Sequence, residues 1–191
     1  MFSRTGKISI VVILVLLMAF VSADAAEFSA DMTIKSAAAG MDMNGKVFVR
    51  GNALRQELDT PAGKQITIVS EGANVMYVIL PGQKMYMEMP KTQVTLDEKE
   101  DMETKFSQQG TLSKQGSETI EGYECDIFQI VYNDPGLGQS LVWVSRKLNY
   151  PLKIKMENPQ DKATILYTNI AEGTLEDSLF VLPSGYQKFS M

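Results

Sequence analysis

Between residues 28 and 170 the chain falls into eleven short runs in which apolar and polar residues alternate, each closed by Gly, Asn, Asp or Pro. A period of two sends successive side chains to opposite faces of an extended strand. The pattern therefore restricts the chain to an antiparallel sheet with one dry and one wet face. Six runs come first, at 28–36, 43–50, 53–58, 65–70, 75–80 and 84–89, and five follow at 112–119, 123–132, 139–146, 151–157 and 163–170. The turns between them have a chemistry: Gly51-Asn52, Pro61-Ala62-Gly63, Glu71-Gly72-Ala73-Asn74 and Pro81-Gly82 accept positive φ or preset a bend. The alternation is clearest where Leu152, Ile154 and Met156 share one face and Lys153, Lys155 and Glu157 share the other. One stretch breaks the period. Residues 96–108 lack Gly and Pro, are rich in Glu and Lys, and set Met102 and Phe106 four apart, which predicts a helix of about three turns with a narrow apolar stripe. A helix inserted in such a meander covers a sheet face. The close of the chain, around Leu179 to Tyr186, reads as a short turn or strand with an aromatic anchor.

The first 25 residues have another character. Arg4 and Lys7 precede an apolar run from Ile8 to Val21, followed by the small residues Ala23, Ala25 and Ala26, as in a secretory leader. The run is short for a bilayer span. We expect residues 1–25 to be removed before Ala26 and residues 26–191 to form a single domain. Cys125 lies far from this junction, so no lipid-bearing cysteine is expected, and the product should be soluble outside the cytoplasm. The leader takes Arg4, Lys7 and Asp24 with it, moving the formal charge from −5 to −6. A net-acidic chain without a basic stripe makes nucleic acid an unexpected partner.

Composition narrows the chemistry further. With no His and one Cys, a His-dependent nucleophile, a His-ligated zinc site and a CxxC redox pair are excluded, and no cofactor or enzymatic activity is expected. Twelve Met residues stand out instead. Met85, Met87 and Met89 share one face of a strand, Met76 sits on the strand before, and Met41 and Met43 lie upstream. Three readings fit such a face. It can be a packed core that uses Met as gap filler, a deformable lining for an apolar ligand, or a thioether site for Cu(I). Trp143, which shares a face with Leu141, is either a core aromatic or a cavity wall. Asp97 to Asp101 and Glu103 are interspersed with lysine and read as a solvated helix face.

A family resemblance runs along nearly all of the mature chain. It is carried by Gly45 to Arg50 followed by Leu54 to Glu57, by Ile66 to Val69 and Val75 to Val78, and by Pro81 to Tyr86. It continues through Gly116 and Glu121-Gly122-Tyr123, Trp143-Val144-Ser145 ahead of Tyr150 to Lys153, and Leu179 to Tyr186. In this order the strings resemble the LolA/LolB-like periplasmic lipoprotein-carrier superfamily, in particular domain of unknown function 4412. The resemblance implies an open half-barrel made of one curved antiparallel sheet, with one or two covering helices and an apolar concave side. That side would receive a lipid or the acyl chains of a lipoprotein, with an envelope protein as a possible partner. The corresponding ligand-binding candidates are Met76, Met85, Met87, Met89, Phe48, Trp143, Leu152, Ile154 and Met156, with Met102 and Phe106 on the lid helix. In the carrier an Arg-Pro pair is linked to lid closure; here Arg50 is followed by Gly51, and no residue is assigned that role. The Cu(I)-handling module and the structural envelope protein with a filled core stay open as alternatives.

Overall fold

The computed structural model of the chain describes residues 26–37, 40–72, 74–90 and 109–189. The expected leader and the expected helix at 96–108, with Met102 and Phe106, lie outside the described residues. The remainder forms one sheet. Its first six strands are β1 (Glu27–Ser36), β2 (Met41–Arg50), β3 (Ala53–Thr60), β4 (Gly63–Val69), β5 (Val75–Leu80) and β6 (Met85–Pro90). Then follow β7 (Gly110–Ile120), β8 (Tyr123–Tyr132), β9 (Gln139–Ser145), β10 (Tyr150–Glu157), β11 (Lys162–Glu172) and β12 (Gln187–Lys188). All eleven expected strands are present within a few residues of their expected bounds.

The strand order is β12-β6-β5-β4-β3-β2-β1-β11-β10-β9-β8-β7. Two antiparallel meanders, β1–β6 and β7–β11, are thus joined along the single seam between β1 and β11. The sheet ends at β12 and β7 without closing on itself, which makes it an open half-barrel rather than a barrel. Register shifts bend it where an extra residue enters a strand, between Ser29 and Asp31, between Pro151 and Lys153 and between Lys114 and Gly116. Such bulges raise local twist and curvature. The β7–β8 hairpin closes through Glu121-Gly122, both at positive φ (49° and 82°), the two-residue geometry whose twist matches the flanking strands.

One strand departs from the all-antiparallel expectation: β12 runs parallel to β6, pairing Gln187 with Met85 and Lys188 with Tyr86. The reason is its route. After β11 the chain does not turn back beside its neighbour but crosses the outside of the sheet, through a 3-10 turn at Asp177–Phe180, and meets β6 from the far side. The crossing is tied down by polar and aromatic contacts. Arg50 donates to the Leu175 carbonyl and pairs with Asp177, and Arg55 donates to the Leu179 carbonyl. Ser70 Oγ donates to the Phe180 carbonyl at 2.6 Å, and the Arg50 guanidinium lies 4.7 Å from the Phe180 ring centroid. Beneath this strap, Leu182 and Tyr186 pack on Ile66, Ile68 and Ile79. Both faces of β4 are therefore covered, which explains why Ile66, Thr67, Ile68 and Val69 are all buried.

Candidate functional site

Register decides which side chains meet on the inner face. One transverse row, each member the Cα partner of the next, crosses β1 to β6 as Phe28, Val49, Leu54, Val69, Met76 and Met89. The adjacent row is Ala30, Val47, Gln56, Thr67, Val78 and Met87. Neither row contains a charged side chain. On the other side of the seam the same face continues through Ile34, Ile165, Ile154 and Val142 to Phe128. Apart from Gln56 and Thr67, these residues belong to one contiguous apolar cluster.

The seven methionines Met32, Met43, Met76, Met85, Met87, Met89 and Met156 all stand on this face by register. Met76 and Met87 are buried, while Met85, Met89 and Met156 are half-buried. Leu152 is fully buried at the β10 bulge and Ile154 lies one step along the same face. Six of the expected residues in β5, β6 and β10 thus share the inner face with Leu152 beside them. Met32 was not singled out in the sequence. Its end fills the space left by Gly45, where a Cβ would stand 3.1 Å from Met32 Cε and 2.1 Å from the Glu57 carbonyl oxygen.

Two candidates fall elsewhere. Phe48 pairs with Ser29 and Arg55, on the outer face. Trp143 pairs with Lys153 and Ile127, also away from the Val142–Ile154 row. There its ring lies 4.3 Å from Lys153 Nζ and 5.6 Å from Lys155 Nζ, and its Nε1–H donates to Glu118 at 2.5 Å. Those contacts satisfy the indole and cover its ring.

Charge is kept to the outside. A groove of about 480 Å³ over β1–β3 is lined by Asp31, Lys46, Glu57, Asp59 and Lys64. Its charges neutralise one another through Lys46–Asp31, Lys64–Asp59 and Arg55–Glu57 pairs. A second groove, of about 510 Å³ at the β7–β8 hairpin, holds Tyr123, Arg146, Lys147 and Glu172. Burial and a hydrogen bond to Glu172 push the Tyr123 phenol up to about 12. Burial likewise pushes the Cys125 thiol up, and that thiol donates to the Tyr123 carbonyl, so it is a protonated core group. Among the described residues no group of three His, Cys, Asp or Glu side chains is placed to hold a metal ion.

An open β half-barrel with an uncharged, thioether-rich inner face is the class that these features define. The chain belongs to the family described as domain of unknown function DUF4412, whose profile matches residues 28–149. No curated protein matches the sequence. Among solved structures, the MucA/MucB complex of Pseudomonas aeruginosa matches at 13% identity, over 86% of this chain and 58% of that one, with a TM-score of 0.58. An uncharacterized conserved protein from Thermus thermophilus matches at 11% identity, over 84% and 89% of the two chains, with a TM-score of 0.59. A LolA superfamily protein from Nitrosomonas europaea matches at 13% identity over 82% and 90%, with a TM-score of 0.41, too distant to argue from. The chain thus spans less than three fifths of the matched chain in the MucA/MucB structure. At these identities the likeness is one of fold.

Proposed function

We propose that this protein is a non-catalytic periplasmic binding protein that holds a hydrophobic ligand, a lipid or an acyl chain, against the inner face of its half-barrel. The observation that carries the reading is the pair of transverse rows across β1 to β6, twelve positions without a charge, three of them Met, with four further thioethers on the same face. Unbranched thioether chains repack at little cost, which suits a guest of variable length and bend. A sixteen-carbon chain offers about 12 kcal/mol at ~0.8 kcal/mol per buried CH2. Against the low end of the association cost, about 4 kcal/mol, that leaves a micromolar complex.

The wider assignment rests on the resemblance and the leader. Residues 1–25 act as an export signal cleaved before Ala26, and residues 26–191 work as one soluble, monomeric unit in lipid or outer-membrane lipoprotein traffic. An envelope protein is the natural delivery partner, and a chain of similar fold is seen in complex with another protein in the MucA/MucB structure.

Native mass spectrometry of protein purified from its envelope fraction, followed by titration of a fluorescent fatty acid onto the delipidated chain, tests the reading. A lipid-sized adduct and saturable, displaceable binding are expected. Absence of both sinks it.

A further inference from the structure

Two polar side chains interrupt the apolar rows across β1 to β6, and they do so together. Gln56 on β3 and Thr67 on β4 are direct cross-strand partners at the centre of the second row, with Val47 and Val78 outside them. They are only 7% and 8% exposed. Among the described residues, the Gln56 side chain makes one hydrogen bond, from Nε2 to Met32 Sδ at 3.1 Å, and the Thr67 hydroxyl makes none. A thioether is a weak acceptor, so this bond replaces little of what the amide loses on leaving water. Neither polar end is among the fully buried side-chain atoms without a partner, of which Asn52 Oδ1 is the one among the described residues, so the pair is a polar spot on the face and not an orphan sealed beneath it.

Their geometry supplies what an acyl linkage needs. Side chains of directly opposed residues have Cβ atoms about 4.5–5.5 Å apart, so one carbonyl oxygen can reach both. Gln56 Nε2 keeps a second N–H, and Thr67 Oγ1 offers an O–H; both can donate to one oxygen. The neighbouring rows, with Leu54 and Val69 on one side and Leu58 on the other, leave the hydrocarbon on either side of that oxygen in apolar surroundings.

We infer that Gln56 and Thr67 form the polar recognition point of this face. They bind the carbonyl oxygen of a fatty acyl ester or amide and thereby select acyl-linked lipids over plain hydrocarbon or ether-linked chains. The inference deepens the ligand-binding reading above and rests on it. It concerns which ligand is held, not whether one is.

Matched ligands separate the two questions. Dissociation constants for 1-monolauroylglycerol and 1-O-dodecylglycerol, which differ in the ester carbonyl, are measured by displacement of a fluorescent fatty acid. The wild type and a Gln56→Leu/Thr67→Val variant are compared, with Gln56→Met as a second variant that keeps side-chain length and packing against Met32. The wild type should prefer the ester about tenfold, as expected for one or two hydrogen bonds to a buried acceptor. In the double variant the preference should fall to about one while ether affinity holds or rises, and Gln56→Met should lose most of the preference with an unchanged melting temperature. A wild type that binds both ligands equally, or a preference that survives in both variants, overturns the inference and leaves the binding face intact. A wild type that binds neither ligand overturns the reading on which it rests.

Discussion

The C-terminal strap makes a quantitative prediction at Phe180. This side chain is 3% exposed, lies under the Arg50 guanidinium, and is held at its carbonyl by Ser70. Truncation to Ala removes a buried aromatic, a change that costs about 3–5 kcal/mol in a core, together with a cation–π contact of about 0.5–1 kcal/mol. The backbone bonds from Ser70 and Arg55 do not depend on the ring, and they let the strap resettle, which argues for the lower part of the range. We expect Phe180→Ala to cost about 3 kcal/mol. In a domain of this size each kcal/mol moves the melting temperature by about 2–4 °C, so the shift should be about 6–12 °C. Thermal melts followed by far-UV circular dichroism measure it, with Phe189→Ala as the control. Phe189 is 39% exposed, and its loss should stay within about 0.5 kcal/mol. Since Phe180 packs over the outer face, ligand displacement at a temperature where both proteins are folded should be unchanged. A Phe180→Ala shift no larger than that of the control would refute the claim that the strap contributes to stability.

Other outcomes follow from single sites. The Tyr123 phenol, at about 12 in the fold against 10.0 unperturbed, favours the native state below pH 10 and loses that contribution as pH rises through 12. Alkaline absorbance titration should show late phenol ionisation that shrinks by one phenol in Tyr123→Phe, the buried Tyr150 and Tyr167 remaining late, and part of which moves down in Glu172→Gln; a Glu172→Gln titration identical to wild type would contradict the assigned partner. Gly45→Ala would bring a Cβ within 2.1 Å of the Glu57 carbonyl oxygen, forcing β2 and β3 apart, and should cost about 3 kcal/mol or more by urea denaturation. Gly40→Ala, where nothing stands within 4 Å of the added carbon but φ is +60°, should cost nearer 1 kcal/mol, and equal losses at the two positions would argue against the close approach.

How much of this was legible beforehand depended on whether a feature is local. Strand existence is local: turn residues and a period of two sufficed for all eleven runs of the two meanders. Which residues share a face within one strand is local too, so Met85, Met87 and Met89 were grouped correctly, as were Trp143 and Leu141. Which faces coincide between strands is set by register, and register sets Phe48 and Trp143 opposite the methionine face, where Trp143 is still buried as a core aromatic. Both are large and apolar, but their cross-strand partners are Arg55 and Lys153. The bulge at β10 adds to the difficulty, since one extra residue reverses parity across it. Gln56 and Thr67 were passed over because polar residues in a strand are read as solvent-facing. The signal was present: Gln56 has the parity of Leu54 and Leu58, and Thr67 that of Val69. The strap was readable only in part. The run Ile66 to Val69 announces burial on both sides, but the identity of the cover, residues 173–189, is fixed by a contact more than a hundred positions away.

The seam between β1 and β11 has a consequence for how the molecule is made. Each meander consists of neighbours in sequence, and such pairings form early because little chain entropy is spent in closing them. The seam joins Ile34 to Ile165, and it cannot form until nearly the whole chain is available. The first strand of the domain therefore waits for the last long one. A nascent chain lacking β11 has two half-sheets and no continuous inner face. A polypeptide of this topology is kept from premature completion by its own connectivity.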